Sequence, residues 1–176
     1  MTLAALGRAE QPLLDAIGRR RAATDPRLVR RVARFSSLGE YGRCWFALGL
    51  GGALFGRPLR REWLRATASM MGAYGCGLVL KRLFRRPRPA PAPGQQQAIS
   101  TPTQLSFPPS RATTSFAAAA AMAPVLDRSG YPLAARLLTP LAAAMTGSRV
   151  YLGVHFPSDV LAGALLGRSV ARILSR

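Results

Sequence analysis

Four stretches of the chain carry no charge: residues 44–56, 66–80, 112–126 and 137–147. A fifth, 156–167, continues the series with Asp159 as its single charged residue. Arginine adjoins at least one end of each apolar stretch, and each predicts a helix. Ahead of them lie two amphipathic segments. Residues 3–17 place Leu3, Leu6, Leu13, Leu14 and Ile17 at helical intervals. Residues 26–36 gather Leu28, Val29, Val32 and Phe35 near one face and arginines on the other, the pattern of a basic helix lying on a membrane surface. The series is broken once, at residues 85–111, where proline and glutamine dictate a loop. A loop of that length in a compact domain is often functional.

Each apolar stretch is shorter than the ~20 residues that span a bilayer comfortably. Flanking arginines whose charged ends reach the interface lengthen them. Their Gly, Ala, Ser and Thr content suits close packing between membrane helices. The expected architecture is all-α: an integral membrane helical bundle of about five short transmembrane helices with amphipathic N-terminal helices. Residues 1–38 form the membrane-surface segment and 39–176 the helical domain, with 85–111 as its motif loop. The first apolar run, Leu3–Leu6, is too short for a secretory signal.

Charge narrows the partners. Lys and Arg number 25 against 7 Asp and Glu, a formal net charge of +18. Nucleic acid, anionic membranes and phosphorylated substrates all attract such a chain. Arginines flanking apolar segments and an aromatic content of only 7% do not fit nucleic-acid binding. With so few carboxylates, no aspartate-rich magnesium site is available. Cys44 and Cys76 lack metal-type spacing and read as small buried thiols.

Two residues are unique. Lys81 is the single lysine and His155 the single histidine, and both stand at helix ends beside arginines. A phosphate needs several cationic donors converging on its oxygens, and arginine and lysine supply them. Pro157 suits the first turn of a helix whose free amides favour an anion. Asp159, four residues past His155, is placed to reach one ring nitrogen and leave the other free to attack phosphorus.

These residues resemble the type 2 phosphatidic acid phosphatases, relatives of the vanadium haloperoxidases, over roughly residues 40–170. The first motif of that family, Lys, six residues, Arg-Pro, is matched by Lys81 through Arg88-Pro89. The third, Ser-Arg, five residues, His, three residues, Asp, is matched by Ser148, Arg149, His155 and Asp159. The second motif, usually "SFPSGH" or "SFPSSHATTSF", reads "SFPPSRATTSF" here. Aligned without a gap, Arg111 occupies the histidine position; aligned on "PS", Ser110 keeps the serine position and Ala112 takes the histidine's. In either register the second histidine is absent.

The resemblance implies that His155 is a nucleophile forming a phosphohistidine and that Asp159 orients it. It also implies that Lys81, Arg88, Arg149 and Ser110 hold the phosphate, with no metal or other cofactor. The general-acid position is altered to Arg111, which keeps its proton at any working pH and can act only as an electrostatic clamp. A diphosphate leaving group, which tolerates negative charge, suits such a site. The implied substrates are polyprenyl phosphates or diphosphates, prenyl-linked sugar phosphates or phosphatidic acid. The alternative is a catalytically degenerate protein that binds a lipid phosphate or serves as a scaffold. Arginine bias suggests a GC-rich bacterium, hence a bacterial plasma membrane. Five spans put the N-terminal arginines and all three motifs on one side, which the positive-inside rule makes cytoplasmic. Self-association into a homo-oligomer is left open.

Overall fold

The computed structural model describes residues 2–92, 94–95, 97–101 and 103–175, and among these it contains seven α-helices and no β-strand. The amphipathic segments become α1 (Leu3–Ala22) and α2 (Pro26–Leu38). The apolar stretches become α3 (Arg43–Phe55), α4 (Arg60–Phe84), α5 (Ser110–Arg128), α6 (Pro132–Tyr151) and α7 (Pro157–Leu174). The all-α expectation holds. Helices α4 to α7 run past their apolar stretches into charged turns, whereas α3 ends within its own. In α4, residues 60–65 and 81–84 extend the uncharged 66–80 to 25 residues, about 37 Å of helix. Among the described residues no helix is long and apolar enough to cross a membrane.

Local signals account for several boundaries. Asp25 caps α2 by accepting from the Arg27 amide at 2.8 Å, with Pro26 at the first helical position. Pro157 opens α7 in the same way, and Asp159 accepts from the Phe156 amide at 3.3 Å. Arg85 ends α4 in a left-handed conformation, its amide returning to the Lys81 carbonyl.

Helix α5 is the centre of the bundle, packed by α4, α6 and α7. Its alanine run, with Ala117 and Ala118 fully buried, lets the neighbours approach closely. The tightest approach is at Gly167 of α7, where a Cβ would fall 2.1 Å from the Thr113 carbonyl oxygen. Trp45 of α3 seals the same core and donates to Ser115 Oγ at 2.9 Å. Cys44 and Cys76 are free thiols and only half-buried.

Alternating helix directions bring the C-terminal ends of α4 and α6 together with the N-terminal ends of α3, α5 and α7. The opposite end is marked by the Arg128–Glu62 ion pair. The loop expected at 85–111 ends at Pro109, since Ser110 and Arg111 already belong to α5, and it folds back on itself at the first of these ends. The Ser106 amide donates to the Arg86 carbonyl at 2.7 Å and the Arg88 amide to Gln104 at 3.2 Å, around an isolated Pro87–Leu105 bridge. Helix α1 lies across this end. Gln11 donates to the Ala90 carbonyl, and Arg21 donates to the Tyr151 carbonyl at 2.7 Å.

Candidate active site

A cavity of about 150 Å³ opens at this end of the bundle. Its wall contains Lys81 from α4, Arg88 from the loop, Ser110 and Arg111 from the first turn of α5, Arg149 from the last turn of α6, and His155 from the α6–α7 connection. Six of the seven residues singled out by sequence therefore share one wall. The seventh, Asp159, is fully buried behind it.

His155 is held from both sides. Its Nδ1 lies 3.1 Å from Ser106 Oγ, and Ser106 Oγ in turn donates to Asp159 Oδ2. A hydroxyl has one proton to give. With that proton on the carboxylate, Nδ1 must carry the hydrogen donated to Ser106, and Nε2 keeps its lone pair. Arg88 Nη1 donates to that Nε2 at 3.0 Å. The ring is thus the tautomer whose free nitrogen faces the cations.

Asp159 does not meet the imidazole directly as its spacing suggested; Ser106 stands between them. The reason lies in the helix start. One Asp159 oxygen caps the Phe156 amide and receives Ser106, while the other pairs with Arg86. The carboxylate is drawn against α7, one hydroxyl away from the ring. Ser106 had been an alignment anchor in "SFPPSR" and nothing more. Its position immediately before Phe-Pro in that motif was the one available signal.

Arg86 has no such signal, since the first motif specifies Arg88 and leaves Arg86 as filler. It is almost fully buried. Beyond Asp159 it donates to Ser158 Oγ at 2.9 Å and Glu10 at 3.1 Å, and its guanidinium lies 4.2 Å over the Phe156 ring. Glu10 of α1 accepts from the Ser158 amide at 2.8 Å and its hydroxyl at 2.7 Å. A chain of contacts therefore runs Glu10–Arg86–Asp159–Ser106–His155.

The electrostatics suit an anion. Four cationic side chains face the cavity, and Arg149 Nε is buried without a hydrogen-bond partner among the described residues. Burial and the neighbouring Arg111 lower Arg88 to about 10. Burial, then Arg88, Arg149 and Lys81, push His155 well below its usual range, so the imidazole is neutral. Arg111 is turned to one side, where its Nη2 meets Glu40 Oε1 at 2.9 Å and its Nη1 donates to the Ser36 carbonyl.

Residues 62–176 match the model of the PAP2 superfamily. The chain is 40% identical to a decaprenylphosphoryl-5-phosphoribose phosphatase of Mycobacterium tuberculosis (strain H37Rv) over 149 residues, 85% of this chain and 80% of that one. It is 38% identical to the protein of the same name from Mycolicibacterium smegmatis over 138 residues, 78% of this chain and 72% of that one. The fold is similar to that of the transmembrane PAP2 type phosphatidylglycerolphosphate phosphatase from Bacillus subtilis. There the TM-score is 0.76 at 23% identity, covering 94% of this chain and 84% of that one. Aquifex aeolicus LpxE gives a TM-score of 0.73 at 26% identity, with 94% and 93% covered.

Proposed function

We propose, since the chain belongs to the PAP2 superfamily and is a phosphatase of that type, that it removes the terminal phosphate from a polyprenyl-linked sugar phosphate of the decaprenylphosphoryl-5-phosphoribose kind. The observation that carries the chemistry is His155 Nε2, an unprotonated nitrogen held by Arg88 at a cavity walled by Lys81, Arg88, Arg111 and Arg149. The names of the mycobacterial relatives support the substrate.

In this reading the cations bind the phosphate oxygens and Nε2 attacks phosphorus along the direction Arg88 Nη1 now occupies. The ester oxygen leaves, and a phosphohistidine forms. Positive charge developing on the ring is stabilised by the Asp159 carboxylate, reached from Nδ1–H through the Ser106 hydroxyl. Water then cleaves the P–N bond. The sequence alone favoured a diphosphate leaving group; a sugar ester instead requires a proton on its departing oxygen.

The same reading places the protein in a membrane. Leu50, Leu54 and Phe55 of α3, Met71 and Val79 of α4, Leu133 and Leu137 of α6, and Leu161 and Leu165 of α7 are all exposed. Apolar side chains in such number on every outer helix suit contact with lipid tails. The arginines of α1 and α2 lie at the site's end of the bundle, which favours a cytoplasmic site. Residues 1–38 are then a surface segment lying on that face.

The test is phosphate release from a synthetic short-chain prenylphosphoryl-5-phosphoribose by purified protein in detergent, beside His155→Ala. Release that disappears in the variant is expected. Equal release by both proteins, or none from either, would refute the reading. The second outcome would favour the scaffold alternative suggested by the altered second motif.

A further inference from the structure

We propose that Glu40 is the proton-transferring catalytic residue of this site, doing with Arg111 what a second-motif histidine does elsewhere. The inference rests on the phosphatase reading above and goes beyond it. Glu40 lies outside the 62–176 segment that matches the family model.

A sugar alkoxide is a poor leaving group and needs a proton as it departs. Arg111 cannot give one. His155, the single histidine, is committed to phosphorus, and both oxygens of Asp159 are engaged behind the ring. Among the described residues the cavity wall contains one carboxyl group, that of Glu40. A carboxylate in an anion site repels its ligand unless it has work there.

The backbone is built to hold it. Glu40 opens the 3-10 turn Glu40–Gly42 between α2 and α3. Tyr41 has φ +54° and ψ +18°, and Gly42 has φ +70°. Two successive left-handed residues reverse the chain sharply. A non-glycine residue in that region is a form of strain that clusters at functional sites. The turn is packed closely on α5, since a Cβ on Gly42 would lie 3.2 Å from Thr114 Cγ2. It delivers Glu40 Oε1 to Arg111 Nη2 at 2.9 Å, while the side chain stays 28% exposed, open to water for proton exchange. Position 111, where the histidine is missing, is therefore occupied by an Arg–Glu pair.

The steps balance. An arriving phosphate competes with Glu40 for the Arg111 guanidinium, and the freed carboxylate takes its proton from the water it faces. In the first step Nε2 of His155 bonds to phosphorus as the P–O ester bond breaks, and the carboxyl proton passes to the departing sugar oxygen. In the second, a water oxygen bonds to phosphorus as the P–N bond breaks, and the water's proton returns to the Glu40 carboxylate. Free phosphate leaves, Glu40 gives its proton to the water it faces, and Arg111 recovers its carboxylate partner.

The experiment compares Glu40→Gln and Glu40→Asp with the unsubstituted protein in detergent, each characterised by its melting temperature. Two esters are used: the prenylphosphoryl-5-phosphoribose, whose alkoxide needs a proton, and p-nitrophenyl phosphate, whose phenolate does not. Rapid-quench sampling follows the acid-labile phosphohistidine. Glu40→Gln is expected to slow cleavage of the sugar ester by about 100-fold or more. It should leave the nitrophenolate burst intact and allow phosphohistidine to accumulate. Glu40→Asp, which keeps a carboxyl, should recover much of the loss. Equal slowing of both bursts by Glu40→Gln would mean that Glu40 only positions Arg111, and would overturn the proposal. So would unchanged rates on both esters, which would pass the proton to Tyr41 or Tyr74 on the same wall. Absence of phosphate release from either ester by the unsubstituted protein would instead bring down the phosphatase reading itself.

Discussion

Ser106→Ala removes the hydroxyl between His155 and Asp159 and leaves the phosphate-binding wall untouched, since Ser106 is fully buried and does not line the cavity. As Nε2 bonds to phosphorus the ring becomes cationic, and the bond from Nδ1–H through Ser106 to the carboxylate strengthens. A hydrogen bond to a charged group contributes about 1.5–3 kcal/mol. At about 1.36 kcal/mol per tenfold, its loss lowers kcat by about 10- to 150-fold. KM should hold, because Lys81, Arg88 and Arg149 still face the substrate. The assay is phosphate release by Ser106→Ala, Asp159→Asn and the double variant. If the hydroxyl transmits the carboxylate's effect, Asp159→Asn costs little more in kcat once Ser106 is gone. Full additivity of the two losses, or an unchanged kcat in a folded Ser106→Ala, would refute the relay.

Three further outcomes follow from the structure. His155 acts as a free base and is held below its ordinary value near 6.5 by burial and by the cations around it, so the acid limb of kcat/KM should lie well below pH 6.5. Arg88→Met should move that limb upward; a limb at or above 6.5 in the unsubstituted protein would contradict the cause assigned. The same depression means that the unfolded chain takes up the proton first, so this residue's contribution to stability is complete above pH 6.5 and is lost as pH falls below it. Gly167→Ala would drive a methyl group against the Thr113 carbonyl and the Ala117 amide, forcing α7 off α5. A loss of about 1–3 kcal/mol is expected in detergent melts, with a fall in activity because these helices carry Arg111 and Asp159; an unchanged melting temperature would show that the helices do not meet there.

The helices were legible because their signal is local. An uncharged run such as 66–80 needs only its own residues to bury, and the arginines beside it mark an end of the bundle. The first and third motifs were legible for a related reason. Lys81 and Arg88 flank one helix end, and Arg149, His155 and Asp159 flank one helix junction, so sequence spacing approximates spatial distance. The loop at 85–111 was legible as irregular chain, but its function lay in a fold that composition does not encode. Pairing of Arg86 and Arg88 with Ser106 and Gln104 carries Ser106 beneath a histidine 49 residues away.

What stayed hidden is the part of the site made by distant partners. Arg86 meets Asp159 across 73 residues, Arg111 meets Glu40 across 71, and Glu10 meets Ser158 across 148. Each involves a carboxylate in a chain that has only seven. Against a net charge of +18, an acidic side chain brought among buried arginines offsets the repulsion that would otherwise scatter them. Glu10, Glu40 and Asp159 do this from three different elements: α1, the turn before α3, and the start of α7. The N-terminal segment, set apart by sequence as a surface appendage, thereby supplies one of the three acids, Glu10, and the turn just beyond it supplies a second, Glu40. Its helices and the turn that follows are bound to the site by the scarcity of negative charge everywhere else.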